Sequence, residues 1–559
     1  MSSVRAPGLG PIVGHTTAHS CRLWIRADDP ADKGAKLDED RRTIGVITVL
    51  TDAGKADPTD PSRTYYFRLR REYDRTGTFN LGVDNSFRIE SEEPGPAPAQ
   101  AGAAFVLQPN KQYRVRMGTI TLDDPLPNDE SVDSRVLLEK LPPASVWAQD
   151  LEKLDMEKSE ATFKTFPEGP PSNLSFLLGS CRYPGLLWKA KEADAIFKPM
   201  LERVLQKSDG KELSCVLMVG DQIYADMLNR HIPVGLADTY EEFQDRYLNA
   251  FGSRNMRRLL RAIPHYMILD DHEIEDNWAQ DRIRDREKRM LFNLAIGAYM
   301  SYQWSHGPRT YDRRLHYTFE CCGFPFFTLD LRTQRYKDIV EDKLDDNFLM
   351  GRPSPDPATP SQIDCFLAWL CAQQQSRGNV PKFVVSSSVF VPNDVSTVKN
   401  PKRQNASDSW EAFPTTRRQI LDTIVKYKIQ NVVFLSGDIH CSCVAEMSFS
   451  GSPEAEKLKA FAITSSAFYW PFPFADGDPS GYVHDSPKEK DSFDLSNKHV
   501  MDYKAFAFTQ EDNFCQLDLD WGKNQLVVRA FGQDGKLLRT PDIDGKKGQE
   551  LKSILDLAS

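Results

Sequence analysis

From about residue 174 onward, apolar runs of four to six residues each stop at a knot of polar, chemistry-bearing residues, and helical patterns fill the intervals. Ser175-Phe-Leu-Leu178 ends in Gly-Ser-Cys181-Arg182, and Cys215-Val-Leu-Met-Val219 ends in Gly220-Asp221-Gln-Ile-Tyr224. Tyr266-Met-Ile-Leu269 ends in Asp270-Asp271-His272-Glu273, with Asn277 beyond, and Val432-Val-Phe-Leu435 ends in Ser436-Gly-Asp438-Ile-His440. Helical periodicity over 194–205, 241–250, 286–304, 361–375 and 415–428 alternates with these runs, which is the pattern of an α/β fold. Ligands of open α/β sheets bind at the carboxyl ends of strands, so the four polar tips are predicted to meet in space.

The first part of the chain has a different texture. Short segments with period two, such as Cys21 to Arg26, Thr43 to Leu50, Tyr65 to Arg70, Phe87 to Ile89 and Tyr113 to Met117, read as strands with one buried face. No long amphipathic helix interrupts them, so residues 1–168 are predicted to form an all-β sandwich of immunoglobulin-like size. The Pro/Gly-rich stretch 167–173 reads as a linker, and 174–559 as the α/β domain. Near the end, Cys515 to Leu519 and Gln525 to Ala530 flank Trp521-Gly522, which predicts an antiparallel hairpin closing one sheet edge.

Composition narrows the function. A formal charge of -10 disfavours stable binding to nucleic acid or an anionic membrane through a broad basic face, so an anionic substrate needs a locally positive site. No apolar run is long enough to cross a bilayer. The opening MSSVRAPGLGPIVG carries neither a signal peptide nor a twin-arginine pair, which gives the cytoplasm as the simplest address, or the periplasm or exterior if a leader has been removed. Ten cysteines in 559 residues are no disulfide framework, and reduced thiols are the chemically useful form.

Asp270 and His272 are two apart, as are Asp438 and His440, so persisting strand geometry would aim each pair to one side and turn Asp271 away. Gathering Asp221, Asp270 and Asp438 without countercharge would cost several kcal/mol, a cost that bound cations remove. Carboxylates, the Asn277 amide and the His440 imidazole suit hard to borderline metals, whereas the Cys181 thiolate and Tyr224 phenolate suit a ferric ion. Taken singly, each tip also has a structural reading: an Asx turn for Gly220-Asp221 and Gly437-Asp438, a helix N-terminus for Asp270 to Glu273, a buried thiol for Cys181. Their joint occurrence at strand ends favours the chemical reading.

The set Gly179-Ser-Cys-Arg182, Gly220-Asp-Gln-Ile-Tyr224, Leu269-Asp-Asp-His-Glu-Ile-Glu-Asp-Asn277 and Ser436-Gly-Asp-Ile-His440 resembles that of the alkaline phosphatase D (PhoD-like) metallophosphatases. Leu329-Asp-Leu-Arg332 and Asp408-Ser-Trp-Glu-Ala-Phe-Pro414 add to the resemblance, which covers most of residues 174–531. It implies a four-layer αββα core after the β domain, a ferric ion with calcium, and hydrolysis of phosphomonoesters and often phosphodiesters. Zinc or manganese are alternatives for the metals. Carried over by motif, Cys181, Asp221, Tyr224 and Asp438 hold or approach the iron, Asp221 bridges, and Asp270, Asn277 and His440 serve the calcium side. Ile439 departs from the family in offering no phosphate contact. Arg182, with Arg332 as a second candidate, is expected to steady substrate oxygens.

The catalytic set expected is thus Asp221, His272 and Arg182. His272 either protonates the departing alkoxide or orients an aspartate ligand. The partner expected is a small phosphate-ester substrate. Rival readings are a phosphodiesterase on lipid or nucleotide esters and, in a different class, a carbohydrate- or surface-binding protein with a degenerate catalytic domain. Ser386-Ser-Ser388 lacks a nucleophile elbow, so a serine hydrolase is not expected. Phe468-Tyr-Trp-Pro-Phe-Pro-Phe474 is either packing or an aromatic rim for a bulky leaving group.

Overall fold

The computed structural model describes residues 3–28, 43–82, 105–122, 141–185, 190–206, 211–226, 235–310, 314–337, 343–398, 400–472, 479–540 and 548–559. The chain is mixed α/β with several sheets and forms two compact units, one of residues 1–169, 247–266 and 297–308, the other of 170–246, 267–296 and 309–559. The two later segments of the first unit carry helical patterns, and such a pattern says only that one face is buried, not against what.

The first unit holds two antiparallel sheets. In one, Val4–Arg5, Gln112–Thr121, Thr43–Val49 and Thr64–Arg68 lie in that order, with Glu160–Lys164 also paired to Gln112–Thr121. In the other, Ser20–Arg26 lies between Leu9–Thr16 and Thr76–Gly82. The sheets share one core, to which Val13, Leu23, Ile25, Phe79 and Leu81 come from one side and Ile47, Val49, Val115, Met117 and Phe163 from the other. Leu9–Thr16 is buried along its whole length, so it shows no alternation to betray a strand. The strand expected at Phe87 to Ile89 lies outside the described residues.

In the second unit, Cys215–Met218 runs parallel to Leu174–Gly179, which pairs antiparallel with Asn513–Asp520. Gln525–Gly532 pairs antiparallel with Asn513–Asp520, as the turn at Trp521-Gly522 predicted. That hairpin does not close the sheet: Lys552–Asp556 adds a further antiparallel strand outside Gln525–Gly532. In a second sheet, Phe324–Thr328, Lys382–Val385, Val432–Ser436 and Ala460–Thr464 run parallel to one another. Tyr317–Cys321 flanks them on one side, and Ser442–Ser450, Val500–Thr509 and Phe493–Asp494 on the other.

Helices Gln362–Arg377 and Pro414–Lys426 cover one face of this second sheet, with Ile363, Phe366, Leu370, Ile420, Leu421 and Ile424 meeting Val384, Phe434 and Ala462. Local chemistry sets their ends. The Asp364 carboxylate accepts from the Ser361 N–H at 3.0 Å, Gly378 ends the first helix at φ +59°, and Pro414 opens the second. On the opposite face, Phe326 and Phe383 meet Phe176 of the first sheet at ring separations of 5.8 and 5.5 Å. Beyond that sheet, Arg203 of helix Phe197–Gln206 lies 3.4 Å over the Phe531 ring and donates to Gln516 Oε1 at 3.1 Å. All ten cysteines are free thiols, and among the described residues no helix is long and apolar enough to cross a membrane.

Two histidines of the first unit make its stability depend on pH. His265 and His306 are fully buried, and burial pushes each down to about 3, with Arg22 adding to the effect at His306. In the unfolded chain both would titrate near 6.5, so between 6.5 and 3 the unfolded state takes up protons that the folded state refuses. Stability is therefore full above pH 6.5 and falls as the pH drops through that window. Denaturant midpoints measured from pH 7.5 to pH 4 should decline, and His306→Gln should flatten the decline by about 1 kcal/mol or more; an equal slope in the variant would contradict the assignment.

Candidate functional site

Each predicted tip sits at the carboxyl end of its strand. Cys181 follows Leu174–Gly179, Asp221 and Tyr224 follow Cys215–Met218, and Asp438 and His440 follow Val432–Ser436. Asp270 to Asn277 follow Met267 to Leu269, tied to Cys215–Met218 by the Ile268 N–H, which donates to the Met218 carbonyl at 3.2 Å. These edges converge. Ligand-type atoms lie within 4.8 Å of one another in three sets: Cys181, Asp221 and His440; Asp221, Asp271 and His272; and Asp221, Asp270, Asp271 and Asp438. Asp221 is common to all three. The Tyr224 hydroxyl joins them, donating to Asp221 Oδ2 at 3.5 Å and lying 3.3 Å from His440 Nε2.

The backbone does not continue as strand through these tips. Cys181, Asp221, Asn277, Asp438 and His440 have φ of +56°, +55°, +54°, +75° and +52°, left-handed values that favour glycine and cost of order 1 kcal/mol or more for other residues. Two placements differ from the period-two reading. Asp271 does not face away: its carbonyl accepts from the Ile274 and Glu275 N–H groups, each at 2.7 Å, in a tight turn that brings its carboxylate to Asp221 and Asp270. Asp438 and His440 go to different sets, Asp438 to the all-carboxylate side and His440 to Cys181, the reverse of the division carried over by motif.

Asn277 reaches the cluster through Asp271, its N–H donating to Asp271 Oδ2 at 2.6 Å, while its side-chain amide donates to Asp276. The two arginines expected to hold substrate are committed elsewhere. Arg332 is fully buried and pairs with Asp270 at 2.5 Å, Asp271 at 3.2 Å and Asp408 at 2.5 Å, a positive charge set behind the cluster. Asp408 also pairs with Arg335. The Arg182 guanidinium is buried over the Phe197 ring at 5.8 Å, and burial pushes it down to about 10. Its backbone serves the site, the N–H donating to the Asp221 carbonyl at 2.9 Å.

Two acids that the sequence reading passed over organise the loops. Fully buried Glu273 accepts from the N–H groups of Asp221 at 3.1 Å, Gln222 at 2.7 Å and Asp270 at 2.9 Å, so one carboxylate clamps two ligand loops. Asp226 accepts from the Asp276 N–H at 2.7 Å and lies 2.8 Å from His272 Nδ1. Burial opposes charge on His272, but Asp226 and Asp271 outweigh it and raise the imidazole well above its ordinary value. The nearest sequence signal was position, Glu273 inside one tip and Asp226 two residues beyond another, which does not reveal a backbone-holding role.

The electrostatics favour bound cations. Burial, and then neighbouring negative groups, raise Asp221 and Asp438 well above the usual carboxylate range, and burial raises Asp270 despite Arg332. Burial pushes the Cys181 thiol up to about 12. Asp270 Oδ2 is buried without a hydrogen-bond partner. Cys181, Tyr224, His440 and Asp221 offer a mixed sulfur, oxygen and nitrogen set, whereas Asp221, Asp270, Asp271 and Asp438 offer oxygen alone, and both sets fit metal ions.

Comparison with known proteins gives the family. The family model described as PhoD-like phosphatase matches residues 191–501. The chain belongs to that family. A curated relative, alkaline phosphatase D of Bacillus subtilis (strain 168), is 23% identical over 267 residues, which are 44% of this chain and 45% of the relative, so the match spans under half of that protein. A solved structure described as the structure of PhoD superposes with a TM-score of 0.61 at 16% identity, covering 98% of this chain and 94% of the other, and so shares the fold. GAP50, the anchor in the inner membrane complex of Plasmodium, has a TM-score of 0.33 at 12% identity over 68% of this chain and 90% of its own, too low to bear on the site.

The Glu273 clamp can be tested on metal binding alone. Glu273→Ala is expected to weaken metal retention about 10- to 100-fold, measured by equilibrium dialysis with elemental analysis, with the far-UV circular dichroism retained; unchanged retention would contradict the clamp.

Proposed function

We propose that the chain is a metal-dependent phosphoric ester hydrolase, acting on phosphomonoesters and also accepting phosphodiesters. One observation carries the reading: among the described residues, Asp221 belongs to every set of converging ligand atoms. In this reading the second unit is a four-layer αββα catalytic core, supported by helices on the outer faces of two packed sheets, and the first unit is an immunoglobulin-like sandwich.

Cys181, Tyr224 and His440 would hold a ferric ion, Asp270, Asp271 and Asp438 a calcium ion beside Asn277, and Asp221 would bridge the two. The sulfur, phenol and imidazole donors support iron on the first side and the all-oxygen set supports calcium on the second, with zinc or manganese as the alternatives. Such ions supply Lewis acidity toward the phosphoryl oxygens and lower the pKa of a water.

The chain's own groups do the rest. Arg332 and Glu273 hold Asp270, Asp271 and the backbone of Asp221 in fixed geometry, which removes reorganisation from the barrier. His272, oriented through Nδ1 by Asp226, offers a proton to the leaving alkoxide.

Protein purified without added metal should contain iron and calcium and show a visible absorption band from phenolate to iron. Asp221→Asn should lose both the metal and turnover, and full retention of either would refute the bridging role. The role of His272 is read from leaving groups: His272→Asn should slow alkyl phosphate hydrolysis by about 10²- to 10⁴-fold, but p-nitrophenyl phosphate, whose leaving group needs no proton, far less. Equal losses on both would assign His272 to orienting the aspartates instead.

A further inference from the structure

The metal chemistry does not use the aromatic run that begins at Phe468, yet the fold sets that run against the site. The peptide 468–469 pairs with the loop 180–183: the Phe468 N–H donates to the Ser180 carbonyl at 2.8 Å, the Tyr469 N–H to the Cys181 carbonyl at 3.2 Å, and the Tyr183 N–H to the Tyr469 carbonyl at 3.1 Å. This pairing lays the Trp470 indole face to face with the His440 imidazole, centroids 3.6 Å apart and 8° from parallel. Tyr183 meets Tyr224, Trp470 and Phe472 at 5.2, 5.5 and 5.1 Å with steep interplanar angles, and Phe472 meets Trp470 at 5.1 Å.

Separations this short are ring-on-ring contacts. Nothing fits between the rings, so they do not form a cage around a cation. A ligand can meet only the outer surface of the group. Tyr183 and Tyr224, behind, are buried, whereas Trp470 and Phe472 remain partly exposed, as do His440 and Asp438. Packing alone accounts for the two tyrosines. It does not account for the partial exposure of two large rings beside the partly exposed His440.

We infer that Trp470 and Phe472 form a wall that binds the planar ring of an aromatic phosphate ester, aryl or nucleoside, whose phosphoryl group sits at the cluster. The inference rests on the reading of that cluster as a phosphoester-hydrolysing centre, and it makes the two rings specificity-determining residues for the alcohol side of the ester.

Calorimetric titration of the metal-loaded full chain separates the two claims without relying on turnover. Inorganic phosphate tests the centre. Phenylphosphonate against methylphosphonate tests an aryl ring, and the non-hydrolysable 5′-methylenephosphonate analogue of adenosine 5′-monophosphate against that of ribose 5-phosphate tests a nucleoside base, each pair sharing its phosphorus head. In the wild-type chain the ring-bearing member of one pair should bind roughly three- to tenfold tighter. Trp470→Ala and Phe472→Ala should bring that ratio close to one; Trp470 is the ring stacked on His440, so the Phe472 variant leaves that stack in place and separates ring binding from support of the imidazole. The pair that responds identifies the source of the ring. Equal binding within both pairs, or a ratio that survives both substitutions while phosphate binds, overturns the wall and leaves the centre standing. Absence of phosphate binding overturns the centre and the wall with it.

Discussion

Four carboxylates, the buried Asp221, Asp270 and Asp271 and the half-buried Asp438, are held within 4.8 Å of one another, and the guanidinium of Arg332 is the countercharge placed against two of them. Their mutual repulsion, added to the cost of taking them out of water, is the constraint to which the surrounding structure answers. Burial and neighbouring negative groups drive Asp221 and Asp438 far toward the neutral form in the protein alone. Bound cations would reverse that balance by supplying the opposite charge that these carboxylates lack. The Arg332, Arg335 and Asp408 network continues the alternation of charge away from the cluster, so the residual field is concentrated where ions would bind.

The tips also store backbone strain. Five ligand-bearing or ligand-supporting residues occupy left-handed φ, each at a cost of order 1 kcal/mol or more. Parallel strands that end together supply the rigidity to hold them there, and the Glu273 carboxylate fixes two of the loops through three backbone N–H groups. The same strand-end arrangement that gathers Cys181 also threads the peptide 468–469 beside it, so ion binding and the ring surface of Trp470 derive from one local pairing.

Much of this was legible in the sequence. Apolar runs that stop at Cys181, Asp221, Asp270 and Asp438 announce strand ends because burial on both faces leaves no other reason for the pattern to break so abruptly. The turn at Trp521-Gly522 was legible because its flanking strands alternate. What lay hidden was whatever depends on chain direction after the strand stops. A period of two, extended past Leu269 and Ser436, misplaces Asp271, because the chain turns tightly from Asp271 to Glu275, and groups Asp438 with His440, because left-handed φ at both resets the direction of the side chains. The carboxylate partners of Arg332 were equally invisible, since a guanidinium binds carboxylate as well as phosphate and sequence does not say which is nearer. The edge strand Lys552–Asp556 escaped notice as a short alternating segment at the chain end.

The central claim is that one aspartate is shared between two ion sites of different donor chemistry. Anomalous X-ray diffraction from crystals of the metal-loaded protein, recorded across the iron absorption edge, tests it most directly. The account predicts two metal peaks within coordinating distance of Asp221, the iron peak beside Cys181, Tyr224 and His440 and the other among Asp270, Asp271 and Asp438. A single peak that does not touch Asp221, or metal bound only outside these loops, would contradict it.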